Sequence, residues 1–240
     1  MNARSTGRTL SRLAFILAAL AALAIAAAGP GTRFGLWPFR TAFTVMRWGT
    51  YLALGAAALS LVALVVGGAR AAAAGALALA LGAFAGPWLF MRTARSVPPI
   101  HDISTDTADP PGFVAVLARR SGAANPPEYA GEVVAAQQRQ AYPDVQPLRM
   151  AVPPAQAFER AVQAAREMGW EIVAAVPGDG RIEATDTTRW FGFKDDVVVR
   201  VRADGPGSRI DVRSKSRVGR SDVGANARRI RAFLDRVRTG

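Results

Sequence analysis

Three long runs of apolar residues dominate the first part of the chain and predict helices that cross a membrane. The runs occupy residues 13–28, 48–67 and 71–91. None of them contains an acidic residue, a lysine or a histidine, so nothing in them marks a path for ions or protons. Aromatic residues such as Trp48 and Trp88 lie near their ends, as is typical of a membrane–water interface. We therefore predict a membrane domain with three transmembrane helices over residues 1–97.

The first run allows two interpretations. Three arginines precede it, and the triplet Gly29-Pro30-Gly31 follows it and is expected to stop a helix. A basic tail before a short apolar run also describes a cleavable signal peptide. An uncleaved first helix that starts inside the cell places the C-terminal part outside the cytoplasm, and the hairpin left after cleavage does the same. We therefore expect a membrane protein whose soluble domain is extracytoplasmic.

Gly82 and Gly86 form a pair of small residues one helical turn apart in the third run. Such pairs let transmembrane helices approach each other closely. Because alanine and glycine are abundant throughout the three runs, we interpret the pair as ordinary close packing within the three-helix unit.

The pattern changes after the third run. Residues 98–146 are rich in proline and polar residues, which predicts an extended lead-in with a short helix near residues 132–139. In the strand that follows residue 208, Ile210 and Val212 alternate with charged residues, which is typical of a sheet with one buried face. Strands are predicted at residues 147–152, 170–176, 181–188, 196–202 and 209–216, and helices at residues 154–168 and from about residue 222.

This order of elements, β-α-β-β-β-β-α, predicts an α+β fold class for residues 147–240. Turn signals between the strands favour antiparallel neighbours. Both helices carry an apolar stripe, so we expect an antiparallel sheet with the two helices packed on one face. The last helix is expected to be capped by Ser221 and to bury Asn226 among its apolar residues.

A net charge of +12 would be typical of a nucleic-acid-binding protein, but its distribution along the chain argues against that interpretation. Nine of the 30 basic residues, and none of the acidic ones, lie in residues 1–97. The remaining 21 basic and all 18 acidic residues leave only +3 for the rest. Arginines that flank apolar spans fix orientation and contact anionic headgroups, so the lipid bilayer is the expected partner and nucleic acid is not.

The segment from His101 to Asp109 concentrates the single histidine and three carboxylates. Asp102, Ser104 and Asp106 have the spacing of the first ligands of a calcium loop, but the glycine and the closing glutamate of such a loop are missing. We interpret the segment as a solvated loop shaped by Asx and Ser turns, and we expect neither a metal ion nor another cofactor.

A second cluster surrounds a loop between two predicted strands. It consists of the charged residues Asp186, Lys194, Asp195 and Asp196 and the aromatic residues Trp190, Phe191 and Phe193. Arg189 also belongs to this cluster. Adjacent carboxylates near an arginine serve either acid–base chemistry or a structural ion-pair network, and we favour the network. Two interpretations of the aromatic residues stay open: they fill the core, or they contact lipid headgroups or an apolar ligand.

A third cluster is basic. Residues 209–238 carry ten basic residues against three acidic ones, whereas acidic residues are in excess over residues 98–208. Its members near the start of the last helix are Arg213, Lys215, Arg217 and Arg220. Together with a helix N-terminus they would suit a phosphate or a carboxylate. A solvated basic face, or one that rests on anionic lipid, is the interpretation that we favour.

Several motifs in this half of the chain resemble a known family. They are Ile100-His101-Asp102-Ile103-Ser104-Thr105-Asp106, Ala141-Tyr142-Pro143-Asp144, Glu183-Ala184-Thr185, Phe193-Lys194-Asp195-Asp196 and Asp211-Val212-Arg213-Ser214-Lys215-Ser216-Arg217. Over residues 98–238 they resemble the bacterial domain-of-unknown-function family 1499. The resemblance implies a membrane- or envelope-associated setting but no established activity. It also implies a shared surface made of His101, Asp195, Asp196, Arg213, Lys215, Arg217 and Asn226.

Two functional hypotheses follow. The first is a non-enzymatic, membrane-tethered module that binds an envelope protein, a lipid headgroup or another amphiphilic or anionic ligand. The second is a membrane-anchored, hydrolase-like enzyme that uses clustered aspartates with Arg213 or Lys215. No cysteine, nucleophile elbow, Walker loop or dinucleotide fingerprint is present, so the catalytic residues are unknown and we favour the first hypothesis.

Overall fold

A computed structural model describes residues 3–240 and divides the chain into two compact units. The first unit consists of the residues up to Thr93 together with the loop Arg189–Gly192. The second unit consists of Ala94–Thr188 and Phe193–Gly240. We call them the helical unit and the sheet unit.

Three long apolar helices form most of the helical unit, as predicted. They are α1 (Ala3–Arg33), α2 (Phe39–Val66) and α3 (Arg70–Ser96). Each helix contains a window of 18 residues that is apolar enough to cross a membrane. At about 1.5 Å rise per residue, each also exceeds the roughly 30 Å thickness of a hydrocarbon core.

The expectation that Gly29-Pro30-Gly31 stops the first helix is wrong, because α1 continues through Pro30 to Arg33. Pro30 lies in the last turn, so its missing N–H removes one helical hydrogen bond and only three residues of helix follow it. The turn that follows supplies other donors: the Phe34 amide bonds to the Pro30 carbonyl at 2.9 Å, and the Leu36 amide bonds to the Gly31 carbonyl at 2.8 Å. These bonds complete the end of the helix despite the proline.

Small residues allow the helices to pack closely. Ala18, Ala56 and Ala80, one from each helix, form a buried cluster. Gly82 and Gly86, in contrast, face open space, so the expectation that they pack within the three-helix unit is wrong. The reason is helical geometry: at about 100° per residue, Gly82 lies roughly 160° around α3 from Ala80 and therefore on the opposite side.

The sheet unit contains one antiparallel sheet of six strands. The strands are β1 (Asp102–Ser104), β2 (Leu148–Met150), β3 (Glu171–Val176), β4 (Arg181–Thr187), β5 (Lys194–Asp204) and β6 (Gly207–Ser216). Their order is β1-β6-β5-β4-β3, and β2 pairs with β6 farther along the edge that β1 also uses. The helices are α4 (Glu132–Ala141), α5 (Pro154–Glu167) and α6 (Ala225–Thr239), with short 3₁₀ helices at Ala115–Arg119 and Pro177–Asp179.

One face of the sheet forms the apolar core, as the alternating pattern predicts. Val199 and Val212 point to this face, and α5 and α6 cover it with residues such as Phe158 and Phe233. The Phe233 ring stacks on Trp170 with centroids 5.0 Å apart. The predicted α+β class, the order of elements from β2 to α6 and the placement of both helices on one face are confirmed.

The other face of the sheet is polar, yet it is also buried, which the alternating pattern did not lead us to expect. Asp196, Arg213 and Lys215 on this face are each at most 2% exposed. Residues 105–130, which we call the covering segment, lie over them and contain one of the 3₁₀ helices. The short helix predicted near residues 132–139 is confirmed as α4, and the rest of the expected lead-in supplies strand β1 and a cover for the sheet.

Gly7 tests the close packing of the helical unit. An alanine Cβ at Gly7 would lie 1.5 Å from the carbonyl oxygen of Gly67, whereas one at Gly75 would meet nothing within 4 Å. We expect Gly7→Ala to destabilise the full chain in detergent micelles by about 1–3 kcal/mol, as overpacking does. Gly75→Ala is the matched control and should cause no loss, because alanine favours helices. Equal thermal stability of the two variants would contradict this packing.

Candidate functional site

The polar face of the sheet carries a layer of charged residues on neighbouring strands. We call it the charge layer and define it as Asp102, Glu183, Asp196, Asp211, Arg213 and Lys215 with their partners Arg120, Arg200, Arg209 and Arg217. Its four carboxylates are fully buried. Buried ions are costly unless paired, so the partners of each group decide what the layer does.

Asp102 on β1 pairs with two cations on β6. Its Oδ1 accepts a bond from Arg213 Nε at 2.8 Å, and its Oδ2 accepts bonds from Arg213 Nη2 at 2.9 Å and Lys215 Nζ at 3.0 Å. Burial lowers the pKa of Lys215, and the charge of Asp102 opposes that shift. The geometry is a bidentate guanidinium–carboxylate pair with a second cation on one oxygen.

The remaining donors of these two cations bind the backbone of the covering segment. Arg213 donates to the carbonyls of Pro111 at 3.3 Å and Pro127 at 2.9 Å. Lys215 donates to the carbonyl of Glu128 at 2.5 Å. The pair of cations therefore ties the covering segment to β6, and both cations are buried beneath that segment.

Asp196 on β5 forms the second centre of the layer. It accepts bonds from Arg120 at 2.5 Å, from Thr185 at 2.8 Å and from two nitrogens of Arg217 at 2.9 and 2.7 Å. Arg120 belongs to the covering segment, and Arg217 also donates to the carbonyl of Arg119 at 2.7 Å. The carboxylate is thus saturated and joins the covering segment to the sheet.

Glu183 on β4 binds the start of the 3₁₀ helix in the covering segment. Its two oxygens accept the backbone N–H groups of Val114, Ala115 and Val116 at 2.9–3.0 Å. These amides begin a helix, where they lack partners of their own and favour an anion. Arg181 supplies a further bond to the same carboxylate.

Two aromatic rings of the covering segment lie against the cations. The Phe113 ring centroid is 4.8 Å from the Arg213 guanidinium and 5.6 Å from that of Arg120. The Tyr129 ring is 5.4 Å from the Arg213 guanidinium. Cation–π contacts of this kind complement the ion pairs where water is excluded.

Asp106 and Asp211 bind the arginines at the other end of the layer. Arg209 donates to Asp211 at 2.9 Å and to Asp106 at 2.7 Å. Asp106 also accepts the amides of Ala108 and Asp109, which is the Asx turn that the sequence predicted. The spacing that resembled a calcium loop therefore serves turns and ion pairs.

A smaller polar cluster lies at the start of α6. Arg229 donates to Asp195 at 2.6 Å and to Asp186 at 2.7 Å, and it also contacts Asn226. Asn226 donates to the carbonyl of His101 at 3.0 Å. Sequence reasoning missed Arg229, although its position three residues after Asn226 placed it on the same face of the helix.

The cap of α6 differs from the prediction. The helix begins at Ala225, and Asp222 rather than Ser221 accepts the amides of Gly224 at 2.7 Å and Asn226 at 2.8 Å. Burial raises the pKa of Asp222, against these bonds. A carboxylate of the chain already binds this helix N-terminus, so the expected combination with basic residues to hold a phosphate is not formed there.

The predicted site residues are divided among several environments. His101 contacts the carbonyl of Arg220 at 3.3 Å, and the backbone of Phe193 closes the hairpin loop with Thr188. Trp190 and Phe191 belong to the helical unit, where the buried Phe191 ring lies 5.3 Å from Phe43. The members that the structure leaves exposed are Trp190, Lys194 and Arg220.

Most residues of the implied shared surface are buried. Asp195, Asp196, Arg213, Lys215 and Asn226 are each at most 3% exposed. Arg120 pairs with Asp196 and Arg229 pairs with Asp195, and sequence reasoning selected neither arginine. The quoted motifs therefore describe an internal network rather than an open surface.

Asp102→Asn tests the charge layer. The variant leaves two buried cations without their carboxylate, so we expect a loss of about 3–5 kcal/mol in the free energy of unfolding. Asp109→Asn is the matched control, because Asp109 is 66% exposed in its pairs with Arg200 and Arg202 and exposed pairs contribute at most about 1 kcal/mol. Chemical denaturation of the full chain in micelles measures both. Equal stability of the two variants would count against the layer.

Tyr129 predicts a specific dependence on pH. Burial raises the pKa of its phenol from 10.0 to about 12, with a smaller contribution from Asp102. The folded chain therefore keeps the phenol proton where the unfolded chain has lost it, so stability is intact below pH 10 and is lost as the pH rises to about 12. Tyr129→Phe should lose less stability over this range in alkaline denaturation. Parallel curves for the variant and the wild type would contradict the burial of this group.

The sheet unit also matches a known family. The family model described as "Protein of unknown function (DUF1499)" matches residues 102–237, a range that begins at β1 and ends within α6. A search of curated proteins finds no match for the chain. Because the matched region covers more than half of the sequence and includes both the sheet and its covering segment, the chain belongs to this family of unknown function, DUF1499.

Proposed function

We propose that the chain is a non-catalytic module, tethered to the cell envelope by its three apolar helices, that binds an amphiphilic or anionic ligand or an envelope partner. The helices supply the tether and the sheet unit supplies the binding surface. In this proposal the chain lies in the bacterial inner membrane with the sheet unit outside the cytoplasm.

The observation that carries the non-catalytic part is the saturation of the aspartates. Asp196 accepts four hydrogen bonds, and Asp195 is buried against Arg229. A general acid or base needs an oxygen within hydrogen-bond reach of a substrate. Asp186, whose side chain is 30% exposed, is the most accessible carboxylate of the three.

The position of the open groove also favours binding over hydrolysis. A groove of about 930 Å³ is lined by α5, the turn at residues 177–180 and the C-terminal end of α6. Its lining does not include His101 or the aspartates of the hydrolase hypothesis. A hydrolase would need a pocket that brings those groups to one substrate.

Rescue of a deletion strain tests the proposal. The strain should become sensitive to detergent, and expression of the wild-type chain should restore survival. We expect Asp186→Asn to rescue fully, because the proposed function needs no carboxylate chemistry. The double variant Lys194→Glu/Arg220→Glu should fail, because it reverses exposed charges of the proposed binding surface.

The outcomes separate the hypotheses. Loss of rescue by Asp186→Asn alone, at equal expression, would favour the hydrolase-like enzyme. A deletion strain with normal detergent resistance would contradict the envelope role. Paired reporters fused after Gly240 test the orientation: activity of a reporter that works only outside the cytoplasm supports the proposal, and fluorescence of one that works only inside contradicts it.

A further inference from the structure

Three exposed cations lie at one end of the sheet unit, where the loop at residues 217–224 joins β6 to α6. The Arg217 amide at the start of this loop donates to the carbonyl of Lys194 at 3.0 Å. Arg228 on α6 donates to the carbonyl of Val223 in the same loop. Arg220 lies within the loop, so Lys194, Arg220 and Arg228 form one cationic end.

No carboxylate of residues 3–240 forms a salt bridge with any of these three cations. The nearby carboxylates are already bound: Asp195 pairs with Arg229, and Asp196 pairs with Arg217. Some exposed cations elsewhere in the unit have partners, for example Arg139 with Glu132 and Arg238 with Asp235. No salt bridge within residues 3–240 therefore compensates the positive charge of the cationic end, and Asp222 in the same loop accepts backbone amides instead.

A short stretch of chain connects the end of α3 to Ile100, a residue that contacts the loop of the cationic end. Helix α3 ends at Ser96, and the carbonyl of Ile100 accepts the amide of Asp222 in the loop at 3.1 Å. Four residues span at most about 14 Å at roughly 3.5 Å each. Ile100, which contacts the loop, therefore lies only four residues after the end of a helix that is apolar enough to cross a membrane.

We propose that Lys194, Arg220 and Arg228 bind the phosphate groups of anionic lipids in the membrane that holds the helices. This inference rests on the proposed function and specifies its ligand. Guanidinium and ammonium groups form charge-assisted hydrogen bonds with phosphate. Each basic residue near an anionic leaflet strengthens binding to that leaflet roughly fivefold. The helices tether the sheet unit to the membrane, which makes the contact intramolecular. Three cations therefore suffice without a deep pocket.

A layer of headgroups fits this end better than one free phosphate ion. The cations come from a strand end, a loop and a helix, and each side chain is exposed. The N-terminus of α6, which would otherwise focus donors on a single anion, is bound by Asp222. Dispersed cations on an exposed end match the dispersed charges of a lipid surface.

Hydrogen exchange of the full chain in nanodiscs tests the inference. We expect amides of residues 217–224 to exchange more slowly in discs that contain phosphatidylglycerol than in discs of phosphatidylcholine alone, and high salt should remove the difference. Each cation is expected to contribute roughly fivefold to the binding of the sheet unit to anionic lipid. The triple variant Lys194→Glu/Arg220→Glu/Arg228→Glu should therefore weaken that binding by at least about a hundredfold. Equal exchange of the wild type in both kinds of disc would overturn the inference.

The matched control reverses the same number of charges elsewhere. Arg160→Glu/Arg166→Glu/Arg236→Glu changes residues that line the open groove, and it should retain the effect of phosphatidylglycerol. Protection by inorganic phosphate in phosphatidylcholine discs, without any effect of phosphatidylglycerol, would reject lipid in favour of a soluble phosphate ligand. If the triple variant fails to rescue the deletion strain while the wild type shows no dependence on lipid, the binding function stands and the lipid inference fails.

Discussion

The pairing of buried charges across the polar face of the sheet is the interaction on which the sheet unit depends. Moving an ion from water into a protein interior costs several kcal/mol even after relaxation, so each carboxylate of the charge layer requires nearby donors. Glu183 and Asp196 obtain them partly from the sheet and partly from residues 105–130, and Asp102 obtains them from Arg213 and Lys215, which in turn donate to that segment. The sheet and the covering segment therefore stabilise each other, and neither face of the sheet is left to solvent.

This pairing explains how a proline-rich segment with little regular structure is held in place. Its backbone carbonyls accept bonds from Arg213, Lys215 and Arg217, and its first helical amides donate to Glu183. Hydrogen bonds from ionised groups are roughly twice as strong as neutral ones, and here they lie where water is excluded. The charged residues that first resembled a binding or catalytic surface thus hold the covering segment on the sheet.

Local pattern was sufficient to predict the apolar half of this fold. Val199 and Val212 each lie in a strand whose apolar residues recur with a period of two, and Phe158 and Phe233 each lie in a helix with an apolar stripe. The core face, its two helices and the element order therefore followed from the sequence. The polar half did not follow. Asp102 pairs with Arg213 across 111 residues, and Arg120 pairs with Asp196 across 76, and no periodicity reports contacts at such separations. An alternating charged row has the same pattern whether water or a covering segment lies over it.

Smaller errors had local causes. The sequence predicted that α6 starts near residue 222, but the helix begins at Ala225. Asp222, and not Ser221, therefore accepts its first amides. Pro30 was expected to end α1, but hydrogen bonds from the turn that follows complete the last turn of the helix. At the candidate site the sequence selected five of the ten residues that form the charge layer, and it divided them among three separate clusters. It misplaced their environment, because the order of residues along the chain does not show burial under a distant segment.

Native-state hydrogen exchange at Val114, Ala115 and Val116 tests the central claim most directly. If their amides donate to the buried Glu183, they should exchange as slowly as amides within β5 and β6, although they lie in a segment that joins β1 to α4. Exchange at the rate of an exposed loop would show that the covering segment is not held on the charge layer, and it would contradict this account of the fold.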